Sequence, residues 1–462
     1  MGLTVSGEAR RYGLEELCRR AGLRAADWRR WRIEARADGL ELRRLEGGGR
    51  IVFPAAKGAL CQDRMVRKGW LGQGPATANG AVTDFVVPFA TGDSAEGEPL
   101  FVETALREYR CTEDLAASAV LVLSRYEEMG SELRDEHGRF PADASVAVRD
   151  GYMERPIVDE WGLALEQVIA ALEPGFRAER RLRVMVSHDI DVIGIPFGLR
   201  EPAVQLMKHR KAGVAMRDLL SGFTGVLPGS LGQVMEICRE TAARGLKSAV
   251  YWKASAKTRF DSGYDIGDAR VARVMDWVRS EGGEMGVHPG YYTFGNFAEL
   301  AAEVERCREA MGERYVGGRQ HYLRWRPETW EEWERLGLAY DSSVGFAGRV
   351  GFRAGTCWPY APWLWKENRR ARLLEIPLIA MEGSMISPLY MGLEPDAAVA
   401  AVRDLLRKCA QAGGVFTLLW HNNRFGRPYE AYLGRIFNEL AGMGNYEWRD
   451  EVAGWPGGEV AG

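Results

Sequence analysis

The chain has 462 residues, of which 46% are hydrophobic and 27% are charged, and its formal net charge is −3. This length exceeds that of one ordinary domain, so we expect two or three folded units with a normal apolar core. The nearly balanced charge gives no reason to expect nucleic acid or an anionic membrane surface as a partner.

The cysteines and the N-terminal segment indicate in which cellular compartment the protein is expected. The seven cysteines are scattered and never form CxxC, which argues against a disulfide framework and a thiolate zinc site. The first twenty residues lack a long apolar run, and no later stretch reaches the ~18 apolar residues of a membrane span. We therefore expect a cytoplasmic protein without a membrane span, whose cysteines are mostly core residues.

The first 172 residues show mixed α and β patterns without a cluster of site residues. An amphipathic helix exposed to solvent is expected around Tyr12–Arg36. The apolar residues of Asp159–Leu172 fall on one helical face, and Glu173-Pro174-Gly175 stops that helix. We place a boundary here, which predicts a smaller mixed α/β domain of unknown role at residues 1–175 and a second domain at residues 176–462.

Beyond this boundary, short apolar strands alternate with amphipathic helices. Strands are predicted at Val184–Val186, Ser248–Lys253, Glu284–His288, Leu338–Asp341, Leu373–Pro377 and Val415–Trp420. Helices are predicted at Leu231–Arg244, Phe297–Met311 and Asp396–Gln411. Two more helices are predicted, one that begins at Asp268 and one that ends at Leu336. The alternation predicts a parallel sheet covered by helices. About seven strands fit a distorted barrel, and an open doubly wound sheet is the alternative because periodicity does not distinguish the two.

Histidine and aspartate side chains follow several of these strands. Ser187-His188-Asp189-Ile190-Asp191 follows the first strand, His288 ends a later one, and His421 ends the last. The carboxyl ends of parallel strands share one edge of a sheet, so these groups should converge. One aspartate and two histidines suit zinc or another borderline divalent ion. His137 and His209 lie in polar segments and are expected at the surface.

Four segments together resemble the motifs of a known family, the NodB-homology polysaccharide deacetylases of carbohydrate esterase family 4. They are Ser187–Asp191, Gly286–Pro289, Gly351–Thr356 and Leu419–Asn423, and the likeness extends over about Leu182 to Met443. It is closest to a divergent branch in which Arg319–Arg324 also recurs. Proteins of that branch often carry an uncharacterised N-terminal domain, to which Leu123–Glu128, Asp135–Phe140 and Arg155–Val158 are similar. The resemblance implies a NodB-like distorted (β/α)7 barrel in the C-terminal part.

The resemblance also implies a ligand set for a divalent metal, with zinc favoured. Asp191 and His288 match metal ligands of the family. The family's second motif usually holds another histidine four residues after the first, where this chain has Tyr292. His321 is the best substitute for that ligand.

The remaining roles follow from the same motifs. Asp189 matches the base, Arg353 the arginine that orients the base, and His421 the general acid, while His188 is expected to pack beside Asp189. The implied function is metal-dependent removal of N-acetyl or other acyl groups from an amino-sugar glycan or its precursor. The expected partner is thus a carbohydrate or an N-acylated small molecule.

Three alternatives remain open from the sequence. The same scaffold could hold an amidohydrolase or esterase for a small acylated molecule. The missing second-motif histidine could mark a degenerate deacetylase that only binds saccharide, although retention of Asp189 and His421 argues against this. The N-terminal domain could be the functional centre, although nothing in residues 1–172 clusters as a site.

Overall fold

The computed structural model describes residues 5–56, 65–70, 84–90, 95–193, 229–424 and 429–453. The described residues of its N-terminal part form four α-helices: α1 (Gly7–Arg20), α2 (Leu115–Leu123), α3 (Val146–Arg149) and α4 (Ile157–Leu172). Its strands are β1 (Trp31–Arg36), β2 (Gly39–Arg44), β3 (Arg50–Pro54), β4 (Met65–Lys68), β5 (Phe85–Pro88), β6 (Phe101–Ala105) and β7 (Glu108–Cys111). Five of these strands form a sheet in the order β1-β2-β3-β7-β6, and β4 pairs separately with β5.

The solvated helix expected around Tyr12–Arg36 is a wrong prediction. Ser6 caps α1 by accepting a hydrogen bond from Ala9 N at 3.1 Å, and the helix ends at Arg20. Trp31 and Ile33 are buried on alternate positions of β1, with exposed Arg32 between them. This period of two is that of a strand, and α1 itself is a core helix packed on α2.

The C-terminal part alternates strands and helices, as the sequence predicts. Its described helices are α5 (Gly229–Ala242), α6 (Ala269–Ser280), α7 (Phe297–Met311), α8 (Pro327–Arg335), α9 (Glu382–Ile386), α10 (Pro395–Ala412), α11 (Glu430–Glu439) and α12 (Trp448–Ala453). Its strands are β8 (Arg183–Asp189), β9 (Ser248–Trp252), β10 (Glu284–Val287), β11 (Tyr340–Asp341), β12 (Trp363–Leu364), β13 (Arg369–Arg370), β14 (Leu374–Glu375), β15 (Ala380–Met381), β16 (Val415–Leu419) and β17 (Gly444–Asn445). The predicted helix Phe297–Met311 is confirmed at both ends, and the predicted cap Asp268 accepts a hydrogen bond from Arg270 N at 2.8 Å.

Parallel pairing places the strands in one continuous order. The sheet runs β10-β9-β8-β16-β15, and β17 pairs with the start of β8. Gly318 bridges Val287 of β10 to Asp341 of β11, and β11 pairs with β14. A Cβ on Gly318 would lie 1.9 Å from the Val287 carbonyl oxygen, so this close approach requires glycine. The described strands contain no pairing between β14 and β15, and the closed seven-stranded barrel stays a prediction.

Buried polar contacts join the two parts of the chain. The Tyr12 hydroxyl donates to the Ala361 carbonyl at 2.8 Å, and Cys357 N donates to Asp159 Oδ2 at 2.8 Å. Glu128 pairs with Arg353 at 2.6 Å between side chains that are each 1% exposed. The division at residue 175 therefore crosses a packed interface and remains a prediction.

The described residues include no helix with both the length and the apolar composition needed to cross a membrane. Six of the seven cysteines are described, and each is a buried free thiol, as expected for core residues. Cys61, like His209, lies outside the described residues.

The pH dependence of stability should reveal the buried Glu303 of α7. Its carboxylate accepts a hydrogen bond from Gly290 N at 2.7 Å, and burial raises the pKa of Glu303 to about 7 from its ordinary value of 4.5. An unfolded chain releases this proton near pH 4.5, whereas the folded chain keeps it to about pH 7, so the free energy of unfolding falls as pH rises through this window. We expect Glu303→Gln to be more stable than the wild type at pH 8, by up to about 3 kcal/mol, and nearly equal to it at pH 4. Urea unfolding at the two pH values measures this, and an equal difference at both would contradict it.

Candidate metal site and active-site cavity

The ends of three parallel strands deliver the site residues to one edge of the sheet. Asp191 follows β8 by two residues, His288 directly follows β10, and His421 follows β16 by two residues. His321 begins a short 3-10 turn after the segment that bridges β10 and β11. The structure brings Asp191, His288 and His321 together, with one potential ligand atom from each lying within 4.8 Å of the others.

The geometry of this cluster fits a divalent metal ion. Asp191 Oδ1 lies 3.2 Å from His288 Nε2 and 3.1 Å from His321 Nε2. Two ligands bound to zinc at 2.0–2.1 Å in a tetrahedral site are about 3.3 Å apart. Asp191 Oδ1 and His288 Nε2 are buried and make no hydrogen bond to any described residue, although Asp191 Oδ1 has an ion-pair contact with Lys253 at 3.2 Å and buried polar atoms are normally hydrogen-bonded. A metal ion would satisfy both atoms.

Each histidine of the cluster is held by its other ring nitrogen. His288 Nδ1 donates to the Arg319 carbonyl at 2.7 Å, and His321 Nδ1 lies 2.8 Å from Asp261 Oδ1. A carbonyl oxygen only accepts hydrogen bonds, so the proton of His288 is on Nδ1 and the lone pair of Nε2 faces the cluster. This is the usual arrangement of metal-binding histidines.

The turn that carries His321 has an uncommon backbone. Tyr322 and Leu323 have φ values of 61° and 52°, in the left-handed region that bulky residues seldom adopt. Gln320 N donates to Ser343 Oγ at 2.9 Å, and Leu323 N donates to the Gln320 carbonyl at 3.0 Å. Strained backbone of this kind is concentrated at functional sites. Here it presents the His321 ring to Asp191.

Arg319 holds Asp189 in place. The Arg319 guanidinium is fully buried and donates to Asp189 Oδ1 at 2.8 Å. Burial alone would raise the pKa of Asp189, but the neighbouring His288 ring and the Arg319 guanidinium hold it below its ordinary value. Asp189 is therefore an ionised carboxylate at neutral pH, 3.7 Å from His288 Nδ1.

The structure corrects the role expected for Arg353. Its guanidinium donates to both carboxylate oxygens of Glu128, at 3.0 and 2.6 Å, and to the Gly345 carbonyl at 2.8 Å. The loop that carries Arg353 packs against the N-terminal part, where Glu128 supplies a two-oxygen partner. Arg319 takes the expected place beside Asp189 because it ends the segment next to β10. The position of Arg319, two residues before the proposed ligand His321, was the sequence feature that could have indicated its role beside Asp189.

His421 is oriented by a carboxylate that the sequence analysis did not identify. His421 Nδ1 lies 2.6 Å from Glu382 Oε1, and its Nε2 lies 3.6 Å from Asp191 Oδ2. Burial alone would lower the pKa of His421, but Glu382 outweighs it and raises the pKa to about 9. Glu382 thus favours the protonated form of His421, which can donate a proton in the cavity. Glu382 begins α9, and no local pattern links it to residue 421.

His188 faces away from the cluster. Its Nδ1 donates to the Trp420 carbonyl at 2.9 Å, and its Nε2 lies 3.2 Å from Thr241 Oγ1. Burial lowers the pKa of His188 to about 4. His188 is therefore a neutral residue with a structural role, because its ring joins β8 to the segment after β16.

Lys253 and Asp261 are two further charged groups missed by the sequence analysis. Lys253 follows β9 and is 1% exposed, with its Nζ 3.2 Å from Asp191 Oδ1 and 3.3 Å from Asp261 Oδ1. Asp261 is also buried, and its contact with His321 holds its pKa far below the ordinary range even though burial would raise it. Lys253 follows an otherwise apolar strand, and a charged residue at that place was the sequence feature that could have identified it.

The cluster opens into a cavity of about 380 Å³ that includes residues of both parts of the chain. Asp189, Asp191 and His421 line its floor, and the half-exposed rings of Tyr322 and Tyr390 line its rim.

The N-terminal part supplies one wall of this cavity. Arg139 lines it and donates to the Tyr322 carbonyl at 3.0 Å. His137, expected at the surface, is instead half-buried, with its Nδ1 3.2 Å from the Tyr291 hydroxyl and its ring centroid 4.8 Å from that of Tyr322. The polar residues around His137 in the sequence gave no sign of this aromatic contact.

Comparisons with known proteins each cover part of the chain. Residues 77–174 match the model of a protein family of unknown function, DUF7033. No curated protein matches the chain. Several solved structures are similar to part of the chain at low identity. A candidate polysaccharide deacetylase from Mycobacterium smegmatis has a TM-score of 0.36 at 15% identity, over 58% of this chain and 87% of that chain.

Two other solved structures have comparable coverage of this chain. A candidate polysaccharide deacetylase involved in O-antigen biosynthesis from Bordetella bronchiseptica has a TM-score of 0.27 at 14% identity, over 59% of this chain and 90% of that chain. A candidate glycoside hydrolase/deacetylase from Parabacteroides distasonis has a TM-score of 0.35 at 10% identity, over 57% of this chain and 66% of that chain.

Proposed function

We propose that this chain is a metal-dependent hydrolase that removes an N-acetyl or other acyl group from an amino-sugar glycan or its precursor. One observation carries the proposal. Asp191 and His321 of the three-residue cluster line one cavity together with the carboxylate of Asp189, which is paired with Arg319, and the ring of His421, which is paired with Glu382. Hydrolysis of an amide needs a base for water and an acid for a poor leaving group.

The roles of the side chains follow from their charge states. A divalent ion held by Asp191, His288 and His321 would polarise the acyl carbonyl and make water more acidic. Asp189, fixed by Arg319, accepts the proton of the attacking water. As the carbon–nitrogen bond breaks, His421 donates its proton to the departing amine, with Glu382 balancing the charge of its ring. The products are a carboxylic acid, acetate for an acetyl group, and a free amine.

The rim of the cavity favours a saccharide as substrate. Tyr322 and Tyr390 line the cavity with side chains that are 37% and 42% exposed. Exposed aromatic rings beside a polar floor provide an apolar face for a sugar ring, together with hydroxyl groups. A small acylated molecule in place of a saccharide is the alternative outcome of the activity test below.

We also propose the architecture that the sequence predicts. β14 and β15 lie on one segment, Leu374–Met381, and pair with β11 and β16 respectively. A strand interrupted at Pro377 would complete a distorted seven-stranded barrel, with residues 1–175 as a separate N-terminal unit.

Metal analysis of the purified protein tests the proposed site. We expect His288→Ala to lose most of the bound zinc or other divalent ion, because it removes one of three protein ligands. His137→Ala is the matched control and should keep the metal. Acetate release from a panel of N-acetylated saccharides and small acylated amines then defines the substrate class. Equal metal content in the wild type and His288→Ala would refute the site.

A further inference from the structure

The segment between β9 and α6 adds a second layer of charge to the proposed metal site. Lys253 and Asp261 both come from this segment, and both are at least 98% buried. Each contacts a proposed ligand, and their charges are opposite. The inference below rests on the proposed metal site and concerns how tightly that site binds an ion.

Asp261 is fixed in the position that orients His321. Its Oδ1 lies 2.8 Å from His321 Nδ1. Its Oδ2 accepts hydrogen bonds from Thr258 Oγ1 and Tyr291 N, each at 3.1 Å. A carboxylate held at both oxygens cannot rotate freely, so it fixes the ring and keeps the proton of His321 on Nδ1. Nε2 is then free to bind an ion.

Lys253 acts in the opposite sense. Its Nζ lies 3.2 Å from Asp191 Oδ1 and 3.2 Å from His321 Nε2, and these atoms are also proposed metal ligands. An ammonium group and a divalent ion that share ligands repel one another, and burial makes this repulsion stronger than it would be in water. A bound ion must therefore displace the ammonium group or remain close to it at a cost in affinity.

The ammonium group has a compensating role when no ion is bound. Asp261 is buried and the Asp191 side chain is only 19% exposed, and uncompensated charge with so little access to water is unfavourable. Among the described residues, Lys253 is the lysine within ion-pair distance of both carboxylates, at 3.2 Å from Asp191 and 3.3 Å from Asp261. It holds the carboxylates and His321 together before an ion arrives.

We infer that Asp261 and Lys253 set the metal affinity of the site in opposite directions. Asp261 raises the affinity by positioning His321, and Lys253 lowers it by competing for Asp191 and His321. Lys253 also stabilises the metal-free cluster, so the site is assembled in advance and releases its ion more readily than the three ligands alone would allow.

Competition with a chelator of known affinity, using zinc or cobalt ions and the full chain, measures both effects. Asp261→Ala should weaken binding roughly 10- to 100-fold, the usual cost of removing such a partner, and Asp261→Asn should recover part of the loss. Lys253→Met should strengthen binding about tenfold or more. Lys257→Met removes an exposed lysine of the same segment and should leave the affinity unchanged. If both residues had a purely structural role, Asp261→Ala and Lys253→Met would both lower the metal affinity.

Thermal unfolding gives a second measurement that does not depend on activity. In excess chelator, Lys253→Met should melt below the wild type, whereas the rise in Tm on adding zinc should be larger in the variant. Unchanged or weaker binding by Lys253→Met, with a wild type that binds metal through His288, would overturn the role of Lys253 and leave the proposed function standing. Binding by Lys253→Met alone would support the inference. Absence of binding in both proteins would overturn the inference together with the metal site.

Discussion

Replacing Asp189 with asparagine should reduce kcat for deacylation by a factor of roughly 10² to 10⁴, the usual contribution of a general base. Asparagine keeps the size of the side chain and a carbonyl oxygen for Arg319, which donates to Asp189 Oδ1 at 2.8 Å. It cannot accept the proton of water. Metal content should remain close to that of the wild type because the proposed ligands are Asp191, His288 and His321. Steady-state acetate release and metal analysis of the same preparation measure the two effects.

A surface substitution of the same type serves as the control. Asp396→Asn changes a side chain that is 92% exposed and should leave kcat unchanged. A variant Asp189→Asn with wild-type kcat and bound metal would exclude Asp189 as the base. Loss of metal together with activity would instead place Asp189 among the ligands.

Replacing Glu128 with glutamine should lower the free energy of unfolding by about 3–5 kcal/mol, the cost of breaking a buried ion pair. Glu128 binds the Arg353 guanidinium through both carboxylate oxygens, and Arg125 Nε also donates to it at 2.8 Å. Glutamine leaves Arg353 buried without a carboxylate. Chemical denaturation followed by tryptophan fluorescence measures the change.

Two further variants separate this effect from alternatives. Glu439→Gln breaks the exposed pair with Arg403 and should cost less than about 1 kcal/mol. The double variant Glu128→Met and Arg353→Met should regain much of the lost stability, because both buried charges are removed together. It should also keep most of its deacylase activity, whereas an Arg353 that orients Asp189 would make this variant inactive. A change below 1 kcal/mol in Glu128→Gln would contradict the structural role of the pair.

Local patterns were sufficient to predict the parallel α/β part and the convergence of the cluster. The helix Phe297–Met311 has a regular apolar face and a polar cap, so its limits follow from nearby residues alone. Asp191, His288 and His421 each follow an apolar strand, and strands of a parallel sheet end at one edge. Topology then brought groups that are far apart in the sequence to one place.

Contacts between distant segments could not be predicted in this way. Arg319 and Arg353 are both arginines in plausible motifs, and the choice between them depends on Glu128, which lies 225 residues before Arg353. Glu382 and His421 meet only because α9 and the end of β16 lie at the same edge of the sheet. Periodicity reports which face of an element is buried, and it does not report which buried side chains become partners.

The place of Arg139 in the cavity lining has a consequence for how substrate selectivity could diverge between related proteins. The proposed catalytic side chains and metal ligands all lie after residue 188, whereas Arg139 comes from a segment about fifty residues earlier that carries none of them. Exchanges in that segment can reshape the space above Tyr322 without touching the bond-breaking chemistry. Two proteins with the same histidines and aspartates could therefore accept different substrates, and the first half of the chain is where such divergence should be sought.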